Sequence, residues 1–151
     1  MKITLFYIGK KNDIELKHHI NHYKKKINYF SQFEVICLKP SSSKNIFNKK
    51  KEEMKLVLNK IKKDDIVFLF NEKGDKMNSI KFSKIFLNNS FCNVKFFIGG
   101  AYGFHDDLLK MNFRKISLSD FVFSHKIALI VVLEQLYRSF TIINNHPYHN
   151  E

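Results

Sequence analysis

Five short apolar runs divide the chain, and amphipathic or polar segments alternate with them. The runs are rich in β-branched and aromatic residues, which is typical of strands, and they span 3–8, 33–38, 65–70, 94–100 and 115–119. Helical patterns span 14–27, 79–90, 104–111 and 125–143, a polar loop from residue 40 runs into a Lys-rich helix ending at Ile61, and 71–76 is predicted as a turn. Five strand–helix alternations predict an α/β fold with a parallel sheet. Because no repeat, linker or low-complexity tract interrupts residues 1–151, one domain is expected.

The predicted helices differ in how clearly their apolar residues mark a buried face. The first places its apolar residues near one helical face; these are Ile14, Leu16, Ile20, Tyr23 and Ile27. The last, 125–143, is apolar nearly all round and is therefore predicted to be buried. Residues 40–53 show no apolar periodicity, and a mobile basic segment is compatible with their composition.

The composition indicates which partners and which cellular compartment to expect. The 26 Lys and Arg against 14 Asp and Glu give a net charge of +12, which favours phosphate backbones or anionic membranes as partners. Lys, Asn, Ile and Phe are abundant together, so background composition is an equally good explanation. Cys37 and Cys92 fall in apolar runs and are expected to be buried free thiols, with neither a disulfide framework nor a zinc site. The opening residues are predicted to form a strand and no apolar run is long enough for a bilayer, so a soluble, cytoplasmic protein is expected.

Candidate chemistry lies at the carboxyl ends of three predicted strands, where ligands collect in parallel α/β sheets. Asn71 to Gly74 follow the third strand, and residues 120–125 follow the fifth. After the fourth strand, three of the five glycines fall within residues 99–103. Glycine permits close approach of the backbone to a ligand, so a ligand-binding loop is favoured over an ordinary tight turn. The spacing matches neither a dinucleotide-binding nor a phosphate-binding glycine motif.

Histidines and the polar C-terminal stretch leave further alternatives open. His18, His19 and His22 have the spacing of a metal cluster, but a solvated basic helix is favoured because no carboxylate or Cys accompanies them. A second group combines Glu134, Tyr137 and Arg138 of the last helix with the segment NNHPYHNE at 144–151. From the residues alone, a metal-binding fragment is rejected because neither Cys nor an acidic cluster lies at suitable spacing, and the position near the end of the chain favours a loose polar tail over part of an active site.

Four motifs, in this order and spacing, carry a resemblance to a known family: FFIGGAYGF, ISLSDFVFSH, LEQLYRSFTI and HPYHNE. They resemble the ribosomal large subunit methyltransferase H family, small SPOUT-class enzymes that methylate N3 of a pseudouridine in a stem-loop of 23S rRNA. The likeness covers the whole chain and is densest from Phe96 onward. It implies a C-terminal trefoil knot that forms an S-adenosylmethionine pocket, a rare exception to the rule against knotted chains. It also implies a homodimer that acts on 23S rRNA within the ribosome and whose active site uses both subunits.

Matching positions then assign roles by resemblance. Arg138, Tyr148 and His149 correspond to residues associated with substrate binding and catalysis, and His125 corresponds to a histidine at the mouth of the knot. The residues expected to contact the cofactor, many through backbone atoms, are Phe70, Gly99, Gly100, Leu118, Ser119, Asp120, Phe121, Val122 and Phe123. The resemblance implies no metal and no membrane contact.

Two stretches depart from the family pattern. Family members usually have Lys-Met-Thr where this chain has Asp120-Phe121-Val122, and an arginine where this chain has Leu129. Lys126 is a candidate to replace part of that arginine's role, although it lacks the planar bidentate fork. Two other functions are therefore kept as alternatives: a non-catalytic basic module that binds RNA or ribosomes, and a SPOUT methyltransferase that acts on tRNA.

Overall fold

The computed structural model describes residues 1–150, and its centre is a five-stranded parallel sheet of order β2-β1-β4-β3-β5. The strands are β1 (Lys2–Ile8), β2 (Gln32–Leu38), β3 (Ile66–Lys76), β4 (Asn93–Ile98) and β5 (Arg114–Ser117). The helices are α1 (Ile14–Asn28), α2 (Ile46–Leu58), α3 (Ser79–Asn88), α4 (Asp106–Lys110) and α5 (His125–Ile143). The predicted parallel α/β fold is therefore confirmed. The trefoil knot stays a prediction, and Glu151 of the HPYHNE motif lies outside the described residues.

The sheet is covered on both faces, which explains why its central strands are apolar throughout. On one face, α1, α3 and α5 pack against the sheet. The cluster between them includes Phe86 of α3, Phe96 of β4 and Leu133 of α5. On the other face, Phe6 and Phe97 stack with ring centroids 4.7 Å apart and belong to a cluster with residues of α2 and α4. The three-layer arrangement leaves the carboxyl edge of the sheet for loops.

Side-chain caps define where the helices begin. Asp13, Asn45, Asn78 and Ser124 each accept the backbone N–H of the third residue that follows, which satisfies one of the free donors of the first turn. The cap at Asn45 places the start of α2 inside the segment whose sequence lacked periodicity. That segment is thus helical from Ile46 onward, and Val57 of α2 is fully buried.

The turn predicted at 71–76 is wrong, because β3 continues to Lys76. Ile116 of β5 is paired both with Phe70 and with Asp75, so residues 71–74 form a bulge between two paired stretches. Gly74 lies directly against β5: a Cβ at this position would be 2.6 Å from the backbone nitrogen of Ile116. Asp75 and Lys76 therefore pair with β5 instead of closing a local turn.

We expect Gly74→Ala to destabilise the protein by about 1–3 kcal/mol, since the methyl group overlaps backbone that cannot rotate away. Chemical denaturation of the two proteins measures the difference in the free energy of unfolding. Asp75→Ala is the matched control, because Asp75 is exposed and its alanine variant should stay within about 0.5 kcal/mol of the parent. Equal stability of the Gly74 variant would contradict the close packing of β3 on β5.

Three smaller expectations need correction. Ile14 is 84% exposed, because it is the first helical residue and lies before the face that packs on the sheet. The last helix is not buried all round: Ile127 is 49% exposed. Cys37 and Cys92 are free but only half-buried, and Cys92 precedes β4. Within residues 1–150, none of the helices combines the length and hydropathy that crossing a bilayer demands.

Candidate active site

A cavity of about 580 Å³ opens at the carboxyl edge of the sheet. Its walls are the β3 bulge at 71–73, the turn at 99–104 and the loop at 118–125, the three strand ends that the sequence singled out. The volume lies within the range of about 300–1,000 Å³ that is usual for small-molecule sites. Three loops that are far apart in the chain thus form one site, as the rule for parallel sheets predicts.

The glycine turn presents backbone to this cavity. The N–H of Gly103 donates to the carbonyl oxygen of Gly100 at 3.0 Å, and Gly103 adopts a φ of +73°, which disfavours residues with a side chain. A Cβ on Gly99 would be 3.3 Å from the Cα of Gly103. The glycines at 99, 100 and 103 therefore keep the turn tight and leave its peptide groups accessible to a ligand.

Glu53 of α2 lies beneath the same turn. Its carboxylate accepts the backbone N–H of Ser41 at 3.2 Å, and a Cβ on Gly100 would be 3.2 Å from its Oε2. The residue is 4% exposed, and this burial raises the pKa of its carboxyl group, although Lys49 lies 3.9 Å away. Sequence reasoning missed Glu53 because, within a run of lysines, it is indistinguishable from a solvated charge.

The loop after β5 is held by its own side chains. The hydroxyl of Ser117 donates to the carbonyl oxygen of Ser119 at 3.1 Å, and Ser119 Oγ accepts the N–H of Phe121 at 3.0 Å. Asp120 forms an ion pair with Lys76 at the surface. These contacts fix the backbone of the loop and leave the side chain of Phe121 exposed.

Most residues that the resemblance assigned to the cofactor line this cavity. They are Phe70, Gly99, Gly100, Leu118, Ser119, Phe121, Val122 and Phe123, and His125 at the start of α5 lines it too. Asp120 is not among the lining residues. Lys50, Glu72, Lys73 and Tyr102 line the cavity without having been assigned a role. Glu72 and Lys73 follow the predicted end of the third strand, and Tyr102 follows β4, so the search of strand ends covered all three. Lys50 comes from α2, where no local pattern marked it.

A second polar cluster joins α5 to the C-terminal segment. Glu134 Oε1 accepts hydrogen bonds from Arg138 Nε at 2.9 Å and from the hydroxyl of Tyr148 at 3.1 Å. Arg138 Nη2 lies 2.7 Å from the same oxygen, and the guanidinium covers the Tyr148 ring at 4.8 Å. Arg138 Nη1 lies 3.3 Å from His149 Nδ1. The cluster supplies the partners that an ionic pair in an apolar helix requires.

Neighbouring groups set the protonation of this cluster. The hydrogen bond with Glu134 raises the pKa of Arg138, so the guanidinium stays charged. Burial, followed by the charge of Glu134, raises the pKa of Tyr148, so its phenol stays protonated at neutral pH and acts as a donor. Gln135, which the sequence did not single out, donates to Glu134 Oε2 at 2.7 Å and accepts from the Ser79 hydroxyl of α3. Gln135 of α5 therefore connects the Glu134 carboxylate to Ser79 of α3.

The cluster and the cavity are separate in a single chain. Among the residues that the structure describes, those lining the cavity do not include Arg138, Tyr148 or His149. Tyr148 instead packs against Tyr137, with ring centroids 4.8 Å apart. The segment at 144–150 is thus docked on α5 rather than free, and one chain does not bring the two groups of candidate residues together.

The departures from the family pattern also have structural positions. Leu129 lies on the face of α5 that packs on the sheet and is fully buried in the core, where an apolar side chain packs well. Lys126 forms an ion pair with Asp13, the N-cap residue of α1, and this contact raises the pKa of Lys126. Lys126 therefore links two helices of its own chain, and its proposed role in replacing the arginine stays a prediction.

The described part of the chain contains no group of three or more His, Cys, Asp or Glu side chains arranged to hold a metal ion. His18 and His19 of α1 contact each other edge to face at 5.8 Å, and His22 contacts Tyr23 in the same way. The three histidines therefore have aromatic neighbours on a helix surface.

Comparisons with known proteins agree with the resemblance. The sequence model of a family described as "Predicted SPOUT methyltransferase" matches residues 1–149. A ribosomal RNA large subunit methyltransferase H from Flavobacterium psychrophilum is 37% identical, with 100% of both chains covered. The protein of the same name from Bdellovibrio bacteriovorus is 42% identical, with 85% of each chain covered.

Solved structures add a likeness in fold. A putative methyltransferase from Legionella pneumophila, in complex with the bound cofactor SAM, superposes with a TM-score of 0.51 at 15% identity; the match covers 90% of this chain and 65% of that one. A probable methylase family protein from Haemophilus influenzae gives a TM-score of 0.54 at 12% identity, covering 99% and 70%. With the family match and the cavity at the glycine turn, the conclusion is that this chain is a SPOUT methyltransferase and belongs to the ribosomal RNA large subunit methyltransferase H family.

Proposed function

We propose that the protein transfers a methyl group from S-adenosylmethionine to N3 of a pseudouridine in 23S rRNA, in the cytoplasm and as a homodimer. The observation that carries the proposal is the cavity at the carboxyl edge, two of whose three loops contain motifs of the family. The names of the relatives specify methylation of large-subunit ribosomal RNA, which favours rRNA over tRNA as the substrate.

The cavity suits the cofactor. Phe70, Ile98 and Leu118 give it apolar walls, and the turn at 99–103 gives it accessible peptide groups. A nucleoside with a charged amino-acid tail needs both kinds of surface. When bound, S-adenosylmethionine supplies an electrophilic methyl group on a sulfonium. Holding that methyl group in line with the acceptor nitrogen is worth up to about 7–11 kcal/mol in favourable systems.

The acceptor nitrogen must lose a proton, and the second cluster provides candidates for handling it. Arg138, kept charged by Glu134, suits the developing anion on the ring oxygens or a nearby phosphate. Tyr148 stays protonated and serves as a hydrogen-bond donor, not as a base. His149 is the candidate base, a role worth about 10²–10⁴-fold in rate. Because a guanidinium only donates, His149 Nδ1 accepts from Arg138, which fixes the orientation of the imidazole ring.

A homodimer explains why these groups are apart in one chain. The cavity holds the loops assigned to the cofactor, whereas Arg138, Tyr148 and His149 lie on α5 and the segment after it. Ile127 is exposed on α5 and Ile130 and Val131 are half-buried, which leaves an apolar stripe for a second subunit. In the dimer, we expect the cluster of one subunit to complete the cavity of its partner.

Deleting the gene and restoring it tests this function. We expect N3-methylpseudouridine in 23S rRNA when the gene is present and its loss when the gene is absent, measured by mass mapping of modified bases. The same measurement on tRNA separates the two substrates. Calorimetry with S-adenosylmethionine separates an enzyme from a non-catalytic module: we expect binding, and no binding at millimolar cofactor would refute methyl transfer by this protein.

A further inference from the structure

Two aromatic side chains stand exposed at the mouth of the cavity. Phe121 is 79% exposed and Tyr102 is 55% exposed, yet both line the cavity. Single exposed apolar residues are common on protein surfaces and need no explanation. Two aromatic rings from different loops at one cavity are a different observation, because they offer flat apolar surface beside the predicted site of methyl transfer.

The backbone that carries each ring is fixed by hydrogen bonds. Ser119 Oγ accepts the N–H of Phe121, and the hydroxyl of Ser117 in turn holds the carbonyl of Ser119. Tyr102 lies in the turn that Gly103 closes by donating to Gly100. The rings are therefore presented on ordered loops, so binding a ligand against them costs little additional backbone entropy.

The proposed reaction requires a surface of this kind. N3 of the acceptor lies on the edge that faces other bases, so the nucleotide must leave its stack before the nitrogen reaches the methyl group. Both faces of the base then lose their neighbours. Stacking on an aromatic side chain restores about 1–3 kcal/mol per base.

We propose that Phe121, together with Tyr102, forms the stacking surface that receives the flipped-out acceptor base at the mouth of the cavity. The inference rests on the proposed function and adds the residues that hold the base. The cofactor contacts expected of this loop are largely through backbone, which leaves the Phe121 side chain available for RNA. Lys50 and Lys73 line the same cavity, beside the carboxylates of Glu72 and Asp106, and offer cations to the phosphates that flank the base.

A ladder of substitutions at Phe121 tests the inference. In single-turnover methylation of 23S rRNA at saturating S-adenosylmethionine, we expect Phe121→Ala to raise the RNA concentration for half-maximal rate roughly 5- to 150-fold. Phe121→Leu should behave like the alanine variant, because it keeps apolar volume but has no aromatic face. Phe121→Trp should restore the parent value. Affinity for S-adenosylmethionine, measured by calorimetry, should change less than about twofold across the series, as expected for a side chain that meets RNA and not cofactor.

Phe91→Ala is the matched control. Phe91 is 99% exposed and precedes β4, so it lies at the opposite edge of the sheet and its variant should match the parent protein. The stacking role would be overturned if Phe121→Leu restored the RNA concentration for half-maximal rate as well as Phe121→Trp does. It would also be overturned if Phe121→Ala matched the parent protein. A parallel loss of cofactor affinity would assign the ring to the cofactor instead. Conversion of the alanine variant to a different oligomeric state would assign it to a second subunit.

The same assay separates the inference from the function on which it rests. If the parent protein methylates 23S rRNA and the three Phe121 variants require the same RNA concentration as the parent, only the stacking surface is refuted. If the parent protein leaves 23S rRNA unmodified, the proposed function fails and the stacking surface fails with it.

Discussion

Deleting residues 146–151 should leave a protein that folds and binds S-adenosylmethionine but transfers methyl groups about 10²–10⁴-fold more slowly. The deletion removes Tyr148 and His149 while leaving every residue that lines the cavity. It also takes one donor from Glu134 and uncovers the ring of Tyr137, so we expect a loss of roughly 1–3 kcal/mol in stability. Single-turnover methylation measures the first effect and thermal unfolding the second.

A point variant separates the base from the rest of the segment. His149→Ala should retain most of the stability and lose most of the rate, because Tyr148 still donates to Glu134. Asn150→Ala, at the neighbouring exposed position, should react at the parent rate. Normal methylation by the deleted protein would show that residues 146–151 are only a tail. Loss of cofactor binding would show instead that they support the cavity.

Arg138→Lys should lower the rate of methyl transfer about 10²–10³-fold while leaving the fold intact. The guanidinium contacts Glu134 through two nitrogens, His149 through a third, and the face of Tyr148. An ammonium is a single point of charge and cannot hold these groups at once. Arg138→Ala should in addition cost about 1–3 kcal/mol of stability, because the half-buried Glu134 carboxylate loses its cation.

The chain provides its own control for this substitution, since it has only two arginines. Arg114 lies at the start of β5, exposed, with its guanidinium over the ring of Phe68. Arg114→Lys should therefore change neither the rate nor the stability appreciably. Equal rates for Arg138→Lys and the parent protein would remove the fork geometry from the mechanism, whatever the stability of the variant.

Some of the fold could be predicted almost residue by residue. The last helix begins at His125 and ends at Ile143, as its pattern predicted, because Ser124 caps it and the polar segment follows. The strands at 3–8 and 33–38 each gained only one residue. Local periodicity and capping are properties of neighbouring residues, so the sequence contains them directly.

Other predictions failed where distant residues decide the outcome. Residues 75 and 76 have the composition of a turn, yet they pair with β5, some forty residues later in the chain. Glu53 resembles a solvated charge among lysines, yet it is buried beneath Gly100. Neither contact has a local signature, because each depends on where the sheet places a second segment.

The amino-acid sequence by itself determined the alternation of strands and helices, the three segments that line the cavity, and the motifs of the family. Only the tertiary structure decided how they are arranged: the order β2-β1-β4-β3-β5, the β3 bulge, and the distance of the Arg138 cluster from the cavity that its own chain forms. The physical reason is that periodicity depends on adjacent residues, whereas these arrangements depend on which strands pair and which side chains they bury. The proposed need for a second subunit follows from that tertiary arrangement.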